Sequence, residues 1–130
     1  MKKLSTVLLI VTFVAGLSLL LYPVVSNYWN TLHASRAVAT YVEKVQNMGE
    51  SEREKMLQEA IEYNKRLTTD NQRLHISPSQ KKEYENILNV DGNGMIGYIE
   101  IPNVNITLPI YHGTDDTVLQ IAVGHLDWTS

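Results

Sequence analysis

The sequence predicts an N-terminal transmembrane helix, then an α-helical spacer, then the first strands of an incomplete β-domain, an α+β arrangement. Three observations support this order. No Asp, Glu, Lys or Arg occurs between Leu4 and Ser35. Apolar residues then recur at helical spacing, and a Gly-rich turn is followed by strand-like alternation. We expect the tip and anchor at 1–25, the spacer at 26–89 and the β-domain at 90–130.

The anchor prediction depends on Leu4 to Leu21, which is almost wholly apolar. Eighteen helical residues span about 27 Å, close to the hydrocarbon thickness of a bilayer, and continuing to Val25 covers it fully. A cleaved signal peptide is the competing interpretation, but Leu19 to Pro23 lacks a small-x-small cleavage site. A buried helix of a soluble protein is a third. We favour an uncleaved signal anchor.

Charge predicts the orientation of this anchor. Lys2 and Lys3 precede the apolar run, and the next basic residue is Arg36. The positive-inside rule therefore puts the N-terminus in the cytoplasm and the rest of the chain outside, at the cell membrane. The aromatic residues just past the run favour the headgroup layer; they are Tyr22, Tyr28 and Trp29.

Composition excludes several kinds of chemistry. The chain has no cysteine, so it offers neither a disulfide nor a thiolate. Removing Lys2 and Lys3 from the 11 basic side chains leaves 9 against 14 acidic ones, a net charge of −5 for the part outside. A nucleic-acid partner would need a basic face, so we expect none.

The spacer is predicted to contain three helices. Pro23 predicts a kink or helix end, and Ser35 can cap a helix to about Asn47, with Gly49 as its stop. Ser51 and Glu54 form a capping-box pattern for the second helix. Its predicted apolar stripe is Met56, Leu57, Ala60, Ile61, Asn64 and Leu67, and Glu62 and Arg66 are spaced for an ion pair.

A polar stretch without periodicity, residues 68–77, predicts a loop before the third helix. Ser77-Pro78-Ser79-Gln80 is a capping box with proline at the first helical position. The helix is predicted to run to about Leu88, with Tyr84, Ile87 and Leu88 facing inward. We interpret all these helices as a spacer packed on a neighbouring domain rather than as a ligand site.

The β-domain begins with the turn Asp91-Gly92-Asn93-Gly94, where Gly and Asn supply positive φ. A strand is predicted over Met95–Ile101, and Pro102-Asn103 breaks it. Apolar Val104, Ile106, Leu108 and Ile110 then alternate with polar residues, which predicts a half-buried strand antiparallel to the first. After a turn at residues 112–114, Thr114 or Asp115 can cap a short helix over Val118 to Ala122.

Four histidines and several carboxylates are the candidates for chemistry. His33 and His75 are interpreted as solvated. His112 and His125 flank the last helix and could meet, and with Asp115, Asp116 or Asp127 they could bind a metal, but their spacing fits no standard site. The turn at Asp91 lacks the remaining ligand positions of an EF-hand calcium loop. The sequence around Ser130 does not match the G-x-S-x-G pattern of a nucleophile elbow. The sequon at Asn105 lies within the predicted strand. We assign no catalytic, cofactor-binding or metal residue.

Several stretches, in order, carry a family resemblance: LYPVVSNYWN, ILNVDGNG, GYIEIPNVNITLPIYHGT and VGHLDWTS. Together they resemble the N-terminal part of a class C (pilus-assembling) sortase. The resemblance implies a sortase-type β-barrel on a membrane anchor at the Gram-positive cell wall. It also implies cysteine transpeptidase or hydrolase activity on LPXTG-like sorting signals, with the acyl chain passing through a thioester to a lysine of the next pilin subunit.

The family's catalytic Cys, His and Arg lie downstream of the segment that matches Gly124-His125-Leu126. His125 matches an earlier histidine of the family, not the catalytic one. We therefore expect a fragment that stops before the active site and is inactive alone. Two departures stand out: residues 68–79 lack the family's Asp-Pro lid motif, which puts lid-type self-inhibition in doubt, and Trp128 stands where the family usually has Gly.

A second interpretation comes from a different class of protein: a membrane-tethered extracellular binding or structural module without catalysis. The reading frame after Ser130 discriminates the two, because further barrel strands and a Thr-x-x-Cys motif would support the sortase. If the barrel is incomplete, we also expect the strand pair to be unstable by itself.

Overall fold

The computed structural model describes residues 2–69 and 75–129, with side chains from Lys3 onwards. These residues form two compact units, 1–33 and 34–130. The predicted division at residues 25 and 89 stays a prediction. The elements in chain order are α1 (Lys2–Asn47), α2 (Glu50–Thr69), α3 (Pro78–Asn86), β1 (Met95–Ile101), a 3₁₀ turn (Pro102–Val104), β2 (Ile106–His112), α4 (Asp116–Leu119) and β3 (Val123–His125).

The first unit is the apolar N-terminal part of α1. Among the described residues, α1 is the one helix long and apolar enough to cross a membrane, judged by length and composition. Its large apolar side chains are exposed; Leu4, for example, is 78% exposed. Thr12 and Ser18 donate hydrogen bonds to the carbonyls of Leu8 and Val14, one turn earlier. Such bonds satisfy hydroxyl groups within the helix itself, as an apolar surrounding requires.

For this helix the predicted cap at Ser35 is wrong, and of the two outcomes predicted for Pro23 the helix end is wrong while the kink stays a prediction. Pro23 does not end the helix, and Ser35 does not begin another, because both lie inside the continuous α1. Proline removes only one intrahelical donor, and the remaining bonds of a long helix can carry it through such a position. The predicted end near Asn47 is confirmed.

Helix α2 begins at Glu50, one residue before the predicted Ser51 cap, because the Gly49 carbonyl accepts hydrogen bonds from the N–H groups of Glu52 and Arg53. Its buried residues are Ala60, Tyr63 and Leu67. Leu57 and Ile61 of the predicted stripe are exposed instead. The buried face of α2 is therefore rotated about the helix axis from the predicted stripe and includes Tyr63. Tyr63 packs with Leu67 and Tyr84 in the local core.

The predicted loop at 68–77 is wrong at its start, because α2 continues through Thr69; residues 70–74 lie outside the described residues. The capping box of α3 is confirmed. The Ser77 hydroxyl accepts from the Gln80 N–H, the Gln80 side chain accepts from the Ser77 N–H, and Pro78 is the first helical residue. The helix ends at Asn86, two residues earlier than predicted.

Helices α2 and α3 are tied together by charge and by apolar contact. Arg66 pairs with Glu83 of α3, where the sequence predicted Glu62 of its own helix. Tyr63, Leu67 and Tyr84 form the buried cluster, and Ile87 packs against it. This contact holds α3 beside α2 and turns the other side of Tyr84 toward the sheet.

The sheet has three strands in the order β1-β2-β3. Gly92 and Gly94 have φ of 75° and 85° in the turn before β1, as predicted. Strands β1 and β2 pair antiparallel, also as predicted, with Ile99 opposite Leu108. Strand β2 begins at Ile106 rather than Val104, because Asn105 adopts left-handed φ and closes the 3₁₀ turn. The Asn105 sequon therefore starts outside the strand.

Strand β3 was not predicted. It is three residues long and pairs parallel to β2, from Ile110 opposite Val123 to His112 opposite His125. The short helix between these strands covers Asp116–Leu119, two residues earlier than the predicted helix. Pro109 lies in the central strand, not on an edge, and the pairing with β3 begins just after it. Proline is unusual in a central strand because it has no N–H for the ladder, and here it lies just before the pairing with β3 begins.

The two faces of the β1–β2 pair differ in their surroundings. On one face Tyr98 contacts the ring of Tyr41 from α1, and the Tyr41 hydroxyl donates to the Ile96 carbonyl at 3.0 Å. On the other face, Ile99, Ile101 and Ile106 remain 40–43% exposed. This second face, called here the open face, is apolar and only partly covered by the described residues; Tyr98 on the first face is 40% exposed as well.

Candidate functional site

The hydroxyl of Tyr84 makes three polar contacts with residues far away in the sequence. Tyr84 is only 4% exposed and lies between α3 and the sheet. Its hydroxyl lies 2.7 Å from the His125 carbonyl, 3.0 Å from His125 Nδ1 and 3.1 Å from the N–H of Gly113. One side chain of α3 therefore bonds both to β3 and to the turn after β2.

The proton positions follow from the donors available. The Gly113 N–H donates to the Tyr84 oxygen and also to the His125 carbonyl at 2.9 Å. The single Tyr84 proton goes either to the His125 carbonyl or to Nδ1. In the first arrangement Nδ1 carries a proton and donates to the tyrosine oxygen; in the second Nδ1 accepts.

Two histidine rings contact Tyr84. The His112 ring meets it edge to face, with centroids 4.6 Å apart, and the His125 ring stacks on it at 5.8 Å. His112 Nδ1 is buried and has no hydrogen-bond partner among the described residues. The sequence predicted that these histidines could meet, and the structure brings both to one tyrosine.

Burial controls the protonation of all three groups. It raises the pKa of Tyr84 to about 12, so the phenol is neutral and is a poor nucleophile at pH 7. Burial also lowers the pKa of His112, against the opposing effect of nearby backbone carbonyls, and the charge of His125 lowers it further. Burial lowers the pKa of His125, and Asp127 opposes the shift.

A cavity of about 160 Å³ lies beside this cluster. Lys81 and Tyr84 of α3 line one part of it, and His112, Asp115 and Trp128 line another. Among the described residues, no group of three or more His, Cys, Asp or Glu side chains could hold a metal ion. The metal site weighed for His112 and His125 therefore has no ligand set in this part of the chain.

Of the remaining candidates, Asp115 lines the cavity beside this cluster. His33 is exposed, with its ring 4.9 Å from that of Trp29, and His75 is exposed as well. Asp115 is the N-cap residue of α4, and Asp116 lies in its first turn. Asp91 belongs to the turn before β1, where its Oδ1 accepts from the Asn93 N–H. Ser130 lies outside the described residues.

Sequence reasoning identified Tyr84 only as an inward-facing residue of α3. The signal that could have placed it is the pairing of a tyrosine with two histidines at the ends of neighbouring strands. That signal is usable only once β3 is known, because β3 brings His125 beside His112.

Comparison with known proteins gives matches among solved structures. No family model and no curated protein matches the sequence. Among solved structures, the chain is similar to the crystal structure of sortase C1 from Streptococcus agalactiae, with 40% sequence identity and a TM-score of 0.66. The match covers 71% of this chain and 48% of that chain.

The fold and the match define a class of protein: this chain is class C sortase-like. Its long apolar helix, further helices and three-stranded sheet are consistent with part of a sortase fold. The particular relative that supports this is sortase C1, and the chain spans about half its length. The resemblance stated from the sequence is thereby confirmed.

Proposed function

We propose that this chain is the N-terminal segment of a class C sortase, a membrane-anchored cysteine transpeptidase that joins pilin subunits at LPXTG-like signals. The observation that carries the proposal is the 40% identity to sortase C1 over 71% of the chain, together with the matching fold. In this role α1 is the anchor, α2 and α3 are the spacer, and β1 to β3 begin the catalytic barrel. The sequence of the gene after codon 130 tests it. Barrel strands with a Thr-x-x-Cys motif are expected, and a stop codon or unrelated sequence would contradict the proposal.

The proposal includes a single-pass anchor with a cytoplasmic N-terminus. Its support is the exposed apolar surface of α1 and the flanking Lys2 and Lys3. Carbonate extraction should leave the chain in the membrane pellet, and protease added to intact protoplasts should digest the part after Arg36. A shorter soluble species would show a cleaved signal peptide, and full protection from protease would show the opposite orientation.

We also propose that these 130 residues do not catalyse transpeptidation by themselves. The sequence has no cysteine, and the buried, neutral Tyr84 is no substitute for a thiolate. Incubation with an LPXTG-like peptide and a lysine-bearing acceptor should give no product and no covalent adduct by mass spectrometry. Turnover above buffer that survives in a His125→Ala variant would reveal a nucleophile elsewhere in the chain.

A further inference from the structure

The contacts of α3 with the sheet concentrate on one group. The Tyr84 hydroxyl is bonded to the backbone of Gly113 and to the backbone and ring of His125. On its other side α3 is tied to α2 by Arg66–Glu83 and by the packing of Tyr63 and Leu67. Loss of the Tyr84 contacts would therefore remove these hydrogen bonds between α3 and the ends of β2 and β3, while the contacts of α3 with α2 and the bond from Tyr63 to the Asp127 carbonyl persist.

The two histidines beside Tyr84 are poorly placed to carry charge. His112 Nδ1 is buried and has no hydrogen-bond partner among the described residues, so protonation of the ring buries a charge, a cost that the backbone of Gly94 and of Ile87 offsets only in part. At His125, a protonated Nδ1 can still donate to the Tyr84 oxygen while the Tyr84 hydroxyl donates to the His125 carbonyl, so the cost of protonation there is the burial of the charge. Both rings contact the same tyrosine, so two imidazolium ions would also repel each other across it.

The neighbouring charged groups do not cancel this effect. Glu85 favours charge on His112 and Asp127 favours charge on His125, and Lys81 of α3 lines the adjacent cavity. Glu85 and Asp115 are exposed, so solvent screens them. The remaining titratable neighbour is Tyr63, whose hydroxyl donates to the Asp127 carbonyl at 3.3 Å and is neutral at pH 7.

We propose that Tyr84, His112 and His125 form a pH-sensitive latch, which holds α3 on β2 and β3 while both histidines are neutral and releases it when they take up protons. Because the pKa values of both histidines are lowered in the closed state, the open state binds more protons as the pH falls below about 6.5. The latch is therefore fully closed above that pH and loses stability as the pH falls toward the closed-state pKa values.

Hydrogen exchange of the full chain in detergent micelles tests the latch. Protection of residues 109–127, corrected for the chemical exchange rate, should fall between pH 8 and pH 5. For each histidine that gains a proton on opening, the protection factor can fall by at most about tenfold per pH unit. Protection of α1 is the internal reference and should stay constant. Protection of residues 109–127 that is constant across this pH range would overturn the proposal.

Matched variants test whether the two histidines cause the pH dependence of protection, called here the slope. His112→Phe keeps the ring without a titrating group and should reduce the slope, and adding His125→Asn should abolish it. His75→Phe makes the same substitution at an exposed site and should leave the slope unchanged. An undiminished slope in the double variant would overturn the proposal. If the variants fail to fold, NMR titration of the wild-type histidine rings decides, because midpoints of His112 and His125 at or above about 6.5 would contradict it.

Discussion

At the scale of single residues, Gly124 is the clearest steric constraint. A Cβ built on it would lie 2.5 Å from the Gly113 carbonyl oxygen and 3.1 Å from side-chain atoms of Leu119 and Thr114. We expect Gly124→Ala to lower the free energy of unfolding by about 1–3 kcal/mol, the usual cost of overpacking. Urea denaturation followed by the protection of β2 and β3 measures this.

Gly97→Ala is the matched control for this substitution. Its Cβ would meet only Ile110 Cδ1, at 4.0 Å, which is ordinary contact. We expect this variant to be close to wild type or more stable. An equal decrease in the free energy of unfolding of the two variants would show that the close contact between Gly113 and Gly124 does not determine the cost.

The ionisation of Tyr84 gives a second prediction at this scale. Because burial raises its pKa to about 12, it should titrate about two pH units above an ordinary tyrosine. A raised pKa means that its contribution to stability is complete below about pH 10 and is lost as the pH rises toward 12. Absorbance at 295 nm of wild type minus Tyr84→Phe isolates this titration. A midpoint near pH 10 would mean that the hydroxyl is solvated.

The residues of the cluster show how far local pattern reasoning reaches. Tyr84 was predicted to face inward because it lies on the apolar side of a capped helix. Its partners could not be predicted, because His112 and His125 are brought beside it by the pairing of β2 with a strand of three residues. A strand of three residues with Gly124 in its centre is too short to show the alternation of apolar and polar residues that predicts a strand.

At the scale of elements, the two predicted capping boxes differ in outcome for a physical reason. Ser77 precedes Pro78, which is preorganised as a first helical residue and fixes the start of α3. Ser51 follows Gly49 and Glu50, and α2 starts before it. The same pattern therefore gives a cap at one site and an interior residue at the other.

This difference can be measured by substitution. Ser77→Ala removes the acceptor for the Gln80 N–H and should cost about 1 kcal/mol. Ser51→Ala places a better helix former inside the first turn of α2 and should be neutral or slightly stabilising. Urea unfolding of both variants, monitored by circular dichroism, makes the comparison. A greater loss in Ser51→Ala would mean that the Ser51 cap forms in solution.

At the scale of the whole molecule, the order of elements was predictable because each carries its own pattern: an uncharged apolar run, capped helices and alternating strands. The continuity of α1 was not predictable, because local signals at Pro23 and Ser35 favoured a break that the backbone of a long helix overrides. The instability expected of the strand pair in an incomplete barrel came from the family resemblance and stays a prediction.

The open face gives the last prediction. The exposed apolar side chains on this face include Ile99 and Ile101 of β1 and Ile106 of β2. Strand β1 is an edge strand of the described sheet. Such a face with an unpaired strand favours association. A soluble version comprising residues 34–130 should therefore associate with increasing concentration in sedimentation velocity and exchange rapidly across Met95 to Tyr111. Ile106→Glu should reduce the association. The matched control Asn105→Asp adds the same charge one residue earlier, just after the 3₁₀ turn, and should leave the association unchanged. A monomer with slow exchange throughout that stretch would instead favour a self-contained binding module.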